Sequence, residues 1–260
     1  MTPPRADASA GRASNVRTIS GKRIAAAAPP SLPRARGGET PAPLILVAIH
    51  GILARETIVS WPDLFFGWLL KRDPTVHLDK KEYIAGPFPA WNVWAKNYWL
   101  AYGLVSELEV WTKAGNRIAI VAHSNGCDIA LKAARILARR GVSIEAMVLI
   151  GGAAEPDVKK NGVFALWHTS RLKRALAYSS TGDLLTKSPL IWPWGRLGNT
   201  GWQFQGKPYG TALKPCAAAG TCEFGTRWFS PFGHCDYFHE DHREQVFERI
   251  YQDLCNACPV

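Results

Sequence analysis

One stretch in the middle of the chain restricts the fold more than any other. Residues 117–122 form an almost wholly apolar run, typical of a strand buried on both faces, and residues 128–140 carry the pattern of a helix. Between them, His-Ser-Asn-Gly leaves room only for a tight turn. A strand and a helix joined this sharply need small residues two positions before and two after the apex, where Ala122 and Gly126 stand. The stretch therefore predicts a strand, a sharp turn and a helix, with Ser124 at the apex.

Other apolar runs end in similar turns of small residues. They are Leu44–Ile49 before His50-Gly51, Ala146–Ile150 before Gly151-Gly152, and Ala175–Ser179 before Ser-Thr-Gly-Asp183. Helical patterns cover residues 60–71, 98–114, 128–140 and 241–254, and short additional strands are expected at 83–85 and 226–230. Strands alternating with helices imply right-handed crossovers. The predicted fold class is α/β, with a mostly parallel central sheet flanked by helices.

The first 40 residues differ from the rest of the chain. They hold seven Lys/Arg against two Asp/Glu and almost no large apolar side chains. Such a composition buries too little surface to offset its ordering entropy, so we expect residues 1–40 to be a disordered basic arm rich in Ala, Pro and Arg. Residues 41–260 are expected to form one α/β domain. The expected location is cytoplasmic; an organellar transit peptide is the alternative interpretation of the arm.

Composition argues against several classes of function. The arm supplies half of the formal net charge of +10, and the remaining basic residues are scattered, which argues against nucleic-acid binding. No segment has the apolar length of a membrane-spanning helix, so stable membrane insertion is not expected. Cys216 with Cys222, or Cys255 with Cys258, are candidate local disulfides in an oxidising compartment.

The histidines near the carboxyl terminus raise the question of a metal site. His239 and His242, with His234 or Asp236, have residue types and spacing that could bind a metal ion. Solvated histidines at a helix start are the commoner explanation of such a pattern. We therefore expect neither a metal ion nor a cofactor.

Ser124 is the candidate nucleophile, and it needs partners. A serine hydroxyl attacks poorly near neutral pH unless a base, itself oriented by an acid, accepts its proton. Asp183 follows a buried strand, where open α/β sheets place their sites, and His234 lies in a loop before the last helix. Asp157 and Glu155, just after the preceding strand, are the alternative acids.

Taken together, these segments resemble the α/β-hydrolase fold family. The resemblance covers about residues 44–254 and rests on Ile49-His50-Gly51-Ile52, Ala122-His-Ser124-Asn-Gly126, Asp183 and Gly233-His234-Cys-Asp-Tyr-Phe. The family's chain order of nucleophile, acid and histidine is met by Ser124, Asp183 and His234. The resemblance further implies an oxyanion hole made of the main-chain N–H groups of Ile52 and Asn125. Ala122 departs from the glycine usual at its position.

The family resemblance implies an enzyme. The expected activity is that of a serine hydrolase of the esterase or lipase type, which cleaves small-molecule or lipid carboxylic esters through an acyl-serine intermediate. An amidase, thioesterase or acyltransferase with the same triad, or a non-catalytic binding protein of this fold, are the alternatives.

Two segments bear on how the pocket is covered. Residues 151–174 are too few for the helical cap domain that many relatives insert there. The segment 184–223 is rich in Gly, Pro and Trp, so it is either an aromatic cover over the pocket or ordinary core packing.

Overall fold

The computed structural model describes residues 42–51, 60–74, 76–81, 90–188, 194–215, 221–229 and 231–255. Their strands are β1 Leu44–Ile49, β2 His77–Lys81, β3 Arg117–His123, β4 Ile144–Ile150, β5 Leu172–Ser179, β6 Gln203–Phe204, β7 Lys207–Pro208, β8 Ala212–Pro215 and β9 Thr221–Trp228. Their α-helices are α1 Trp61–Arg72, α2 Ala90–Lys113, α3 Asn125–Arg139, α4 Val163–His168, α5 Leu184–Lys187, α6 Leu197–Thr200 and α7 Arg243–Cys255. A 3₁₀ turn covers Asp236–Phe238.

Seven of the described strands form one sheet, in the order β2-β1-β3-β4-β5-β9-β8. All neighbours pair in parallel except β8, which runs antiparallel to β9 at the edge. The register aligns Ile49 with Ala122, His123 with Ile150, and Ile150 with Tyr178. The carboxyl ends of β1, β3, β4 and β5 therefore meet at one edge of the sheet.

The strands are apolar on both faces because helices cover both faces. In β1, Ile45 and Val47 belong to a core shared with α2 and α3, whereas Leu46 and Ala48 belong to a core shared with α1 and α7. Alternate residues of a strand point to opposite faces, so a strand between two helical layers needs an unbroken apolar run. This arrangement confirms the predicted α/β fold class.

The described residues also test the smaller structural predictions. Between β4 and β5 the described chain contains only the six-residue helix α4, in agreement with the expected lack of a large helical cap. The short strand predicted at 226–230 is the end of the longer β9, and the one predicted at 83–85 lies outside the described residues. The polar edge strand β2 was not predicted, because His-Leu-Asp-Lys-Lys shows no apolar run.

Helix α2 begins earlier than predicted. It starts at Ala90 rather than at Tyr98, so the prediction missed its first two turns. None of the described helices is both long enough and apolar enough to cross a membrane.

A buried cluster of charges fastens α7 to the sheet. Arg174 lies 3.1 Å from Glu223, Arg227 lies 3.2 Å from Asp253, and the Tyr178 hydroxyl donates a 2.7 Å hydrogen bond to Asp253. The side chains of Arg174 and Asp253 are 7% and 3% exposed. Removing one partner of a buried ion pair leaves the others without compensation, which costs far more than loss of a surface pair.

Asp253→Ala is therefore expected to lower the free energy of unfolding by about 3–5 kcal/mol. Urea unfolding followed by circular dichroism measures the change. Gln252→Ala is the matched control, because this exposed neighbour on α7 bonds only Glu248 and should change stability little. Equal stability of the two variants would contradict a stabilising role for the cluster.

Candidate active site

Ser124 lies at the sharp turn between β3 and α3. Its backbone has φ 55° and ψ −127°, a strained conformation for a residue with a side chain. The Ser124 N–H donates to the carbonyl of Ile150 at 3.0 Å, which ties the turn to the neighbouring strand. The hydrogen bond to β4 keeps the turn in this strained conformation, so that the hydroxyl lies at the carboxyl edge of the sheet.

The small residues around the serine are required by close packing. A Cβ on Gly126 would lie 2.7 Å from the carbonyl oxygen of Ile49 and 2.8 Å from that of His50. A Cβ on Gly51 would lie 2.7 Å from the Cβ of Ser124. Both distances are below van der Waals contact, so larger side chains at either glycine would push the nucleophile turn away from β1.

The structure brings the three residues singled out as nucleophile, base and acid into one chain of contacts. His234 Nε2 lies 2.9 Å from Ser124 Oγ, and His234 Nδ1 lies 3.0 Å from Asp183 Oδ2. A carboxylate only accepts, so Nδ1 carries the hydrogen and Nε2 is left to accept from the serine hydroxyl. This is the arrangement in which a histidine can take a proton from a serine.

Asp183, the candidate acid of this path of contacts, is fully buried and held by its own loop. Asp183 is 0% exposed and accepts a 3.0 Å hydrogen bond from the Thr186 N–H at the start of α5. A Cβ on Gly182 would lie 2.5 Å from the carbonyl oxygen of Pro231, so the acid loop and the base loop pack backbone against backbone. That contact keeps Asp183 close to His234.

The alternative acids serve another purpose. Asp157 accepts from the main-chain N–H groups of Lys159, Lys160 and Gln205, and Glu155 accepts from the N–H of Asp157. Burial alone would raise the pKa of Asp157, but these backbone hydrogen bonds outweigh it and lower the pKa. Asp157 and Glu155 thus hold a loop together, and neither bonds His234.

Of the two expected oxyanion-hole donors, Asn125 belongs to the described residues. Asn125 is the first residue of α3 and follows the nucleophile directly, as the family resemblance requires. The other expected donor, Ile52, lies outside the described residues, while Gly51 before it lies against Ser124. Donors at a helix start favour developing negative charge, because the helix dipole is positive there.

A buried polar network, which was not predicted from the sequence, lies behind Asn125. Asn97 of α2 exchanges two side-chain hydrogen bonds with Asn125, at 2.7 and 3.1 Å, and donates a third to Asp128 at 2.7 Å. Lys132 pairs with Asp128, and Asn97 and Asn125 are 0% and 1% exposed. The spacing of Asp128 and Lys132 on one helix was visible in the sequence, but it is equally typical of an exposed pair.

Asn97→Ala is expected to lower stability by about 1–3 kcal/mol, because buried polar atoms of Asn125 and Asp128 lose partners. It should also lower turnover, since the Asn125 backbone would be held less firmly. Ser106→Ala is the control, an exposed residue of α2 whose hydroxyl bonds only its own helix. Denaturant unfolding and turnover measured side by side test this; an unchanged free energy of unfolding would contradict the role given to Asn97.

The two histidines singled out for a metal site, His239 and His242, contact residues other than Ser124. His239 forms an exposed pair with Asp241, and His242 stacks on Phe232. Among the described residues, no group of three His, Cys, Asp or Glu is arranged to hold a metal ion. Cys222 is disulfide-bonded, whereas Cys216 and Cys258 lie outside the described residues.

Within the segment 184–223, the burial of Trp202 favours core packing over a pocket cover. Trp194 and Trp202 are 6% and 1% exposed, and Trp202 stacks on Phe224 with ring centroids 5.2 Å apart. Trp192 lies outside the described residues. Trp202 therefore belongs to the core, as the core-packing interpretation expects.

A separate groove of about 490 Å³ lies between β9 and α7. Its lining includes Arg227, Trp228, Gln245 and Arg249 and none of the residues around Ser124. Its cations Arg227 and Arg249 are both paired with Asp253. The groove is thus distinct from the candidate active site.

Comparisons with known proteins add distant structural similarities. No protein-family model matches the chain, and no curated protein matches it. Among solved structures, the RedJ thioesterase from the prodiginine pathway of Streptomyces coelicolor is 16% identical over 82% of this chain and 86% of that chain, with a TM-score of 0.48. The type II thioesterase BorB from the borrelidin cluster is 14% identical over 83% and 94%, with a TM-score of 0.47. Human thioesterase 2 is 11% identical over 84% and 98%, with a TM-score of 0.46.

Proposed function

We propose that this chain, which has the α/β-hydrolase fold, is a serine hydrolase that cleaves carboxylic esters through an acyl-serine intermediate. The observation that carries the proposal is the continuous path from Ser124 Oγ through His234 to the buried Asp183, with contacts of 2.9 and 3.0 Å. A path of this kind activates a serine that would otherwise attack too slowly near neutral pH.

In the proposed first half-reaction, Ser124 Oγ attacks the ester carbonyl carbon while its proton passes to His234 Nε2. The carbonyl oxygen becomes an oxyanion facing the Asn125 N–H, and Asp183 stabilises the positive charge that His234 acquires. When the tetrahedral intermediate collapses, His234 returns the proton to the leaving alkoxide. The alcohol departs and the acyl group remains on Ser124.

In the second half-reaction, water takes the place of the alcohol. His234 accepts a proton from water, the resulting hydroxide attacks the acyl-serine, and a second oxyanion forms in the same position. Its collapse returns the proton to Ser124 Oγ and releases the acid. The same steps cleave a thioester or an amide, so the substrate panel below includes all three linkages.

The test is covalent labelling with a fluorophosphonate, whose phosphorus captures an activated serine with loss of fluoride. Intact mass should increase by one adduct, and peptide mass should assign it to Ser124. Ser124→Ala should take up no adduct, whereas Ser106→Ala, with an exposed serine of α2 replaced, should be labelled like the parent. A folded parent that takes up no adduct would contradict the hydrolase proposal and favour a binding protein.

Turnover then separates the substrate classes. Esters, thioesters and anilides of the same acyl groups, with chains of increasing length, are compared by kcat/KM. We expect the ester to give the highest value. A clear preference for the thioester or anilide would retain the mechanism and overturn the proposed substrate class.

A further inference from the structure

The residue before the nucleophile contacts the main chain of the base. His123 Nε2 lies 3.1 Å from the carbonyl oxygen of His234, and the two ring centroids are 4.9 Å apart. A carbonyl oxygen only accepts hydrogen bonds, so this contact assigns the hydrogen of His123 to Nε2. Adjacent residues of one turn thus reach both ends of His234: Ser124 meets its ring, and His123 meets its backbone.

The surroundings of His123 keep its ring fixed. The residue is 7% exposed and lies edge-on to Phe238 and Trp61, with ring centroids 4.9 and 6.5 Å away. Phe238 and Trp61 stack on each other at 4.8 Å. Aromatic contacts on this scale leave the ring little freedom to turn away from the carbonyl.

The charge state of His123 suits this contact. The ionisable groups that face it are His234, His50 and Asp183. Burial, and then repulsion from His234, lower the pKa of His123 to about 3, although the hydrogen bond to the His234 carbonyl and the attraction of Asp183 both act to raise it. His123 is therefore neutral near neutral pH and adds no positive charge beside His234 when that ring takes a proton.

Other contacts of the base loop anchor residues on either side of His234, among them the packing of Pro231 on Gly182. Phe229 donates to the Ser179 carbonyl at 2.9 Å before the loop, and Gly233 donates to Asp236 at 2.7 Å within it. These bonds hold the neighbours of His234, whereas the bond from His123 holds its own carbonyl. A shift of the His234 backbone would carry the ring away from Ser124 and Asp183 together.

We propose that His123 is a positioning residue that holds the His234 backbone, so that the His234 ring stays between Ser124 and Asp183. Its catalytic consequence rests on the proposed function, whereas the contact itself does not. The inference extends the site by a side chain that touches neither the substrate nor the transferred proton.

The first test compares His123→Gln with His123→Leu. Glutamine can present an N–H at a similar reach, whereas leucine fills the space without a donor. We expect His123→Leu to lower kcat and the rate of fluorophosphonate labelling by about 10- to 100-fold with little change in KM, because a small displacement of a catalytic group is costly. His123→Gln should recover most of that loss. A leucine variant as active as the parent, or a glutamine variant as impaired as leucine at equal thermal stability, would overturn the proposal.

The second test does not depend on activity. In protein labelled with ¹⁵N-histidine, the ring signals that His123→Gln removes are assigned to His123. We expect them to report the Nε2–H tautomer unchanged between about pH 5 and 8, the range in which an unperturbed histidine titrates. An Nδ1–H tautomer, which would leave Nε2 without a hydrogen to donate to the His234 carbonyl, would overturn the proposal.

The two measurements separate failure of the contact from failure of the proposed function. A parent that resists labelling but shows the expected His123 signals would contradict hydrolase activity and leave the contact standing. A labelled parent whose His123 carries its hydrogen on Nδ1 would do the reverse.

Discussion

His234→Ala is expected to lower kcat for ester hydrolysis by on the order of 10⁶-fold, as much as Ser124→Ala would. In the proposed mechanism the nucleophile and its base act as a unit, because without a proton acceptor 2.9 Å away the Ser124 hydroxyl has no route to become an attacking oxygen. Single-turnover kinetics with an activated ester measure the loss of acylation directly, and fluorophosphonate labelling should fall in parallel.

His239→Ala and His242→Ala are the matched controls for this experiment. Both residues lie a few positions after His234, and neither reaches Ser124: His239 pairs with Asp241, and His242 stacks on Phe232. They should retain parental kcat. A His234→Ala variant within tenfold of the parent, or a large loss in either control, would place the base elsewhere.

Asp183→Asn should lower kcat by about 10⁴-fold while leaving the fold intact. The amide is nearly the same size as the carboxylate, but it can donate to His234 Nδ1 and so favour the tautomer whose Nε2 carries hydrogen. That tautomer cannot accept the proton of Ser124, and the stabilising negative charge is also lost. kcat from steady-state kinetics, with near-ultraviolet circular dichroism as the check on folding, measures the effect.

Asp157→Asn separates this role from that of a buried structural carboxylate. Asp157 accepts three backbone hydrogen bonds and does not contact His234, so its replacement should lower stability while parental kcat is retained in the folded protein. If Asp157→Asn lost more activity than Asp183→Asn, the acid would have to be reassigned.

The central strands and the apex serine could be predicted because their signals are local. A strand between two helical layers needs an apolar run of five or six residues, and a sharp strand-to-helix turn needs small neighbours such as Gly126, so a short segment carries the whole signal. The edge strand β2 escaped prediction for the same reason. One of its sides has no neighbour among the described strands, and its polar sequence shows no run.

The sequence alone placed Asp183 and His234 in suitable loops, but it left Asp157 and Glu155 open as acids. Each of these carboxylates follows a buried strand, so the sequence favoured Asp183 without excluding the other two. The difference is made by packing: Gly182 approaches Pro231 so closely that the acid loop must lie against the base loop. Asp157 instead accepts hydrogen bonds from the main-chain N–H groups of Lys159, Lys160 and Gln205.

The sequence by itself determined the fold class, the turn that presents Ser124, and the order in which candidate acid and base follow it. Only the tertiary structure decided which carboxylate meets His234, that Asn97 lies behind Asn125, and that His123 contacts the His234 carbonyl. Those contacts join residues 51, 28 and 111 positions apart. A local sequence pattern indicates which side chains of a segment are buried. Contacts between residues this far apart depend on how whole helices and strands pack against one another.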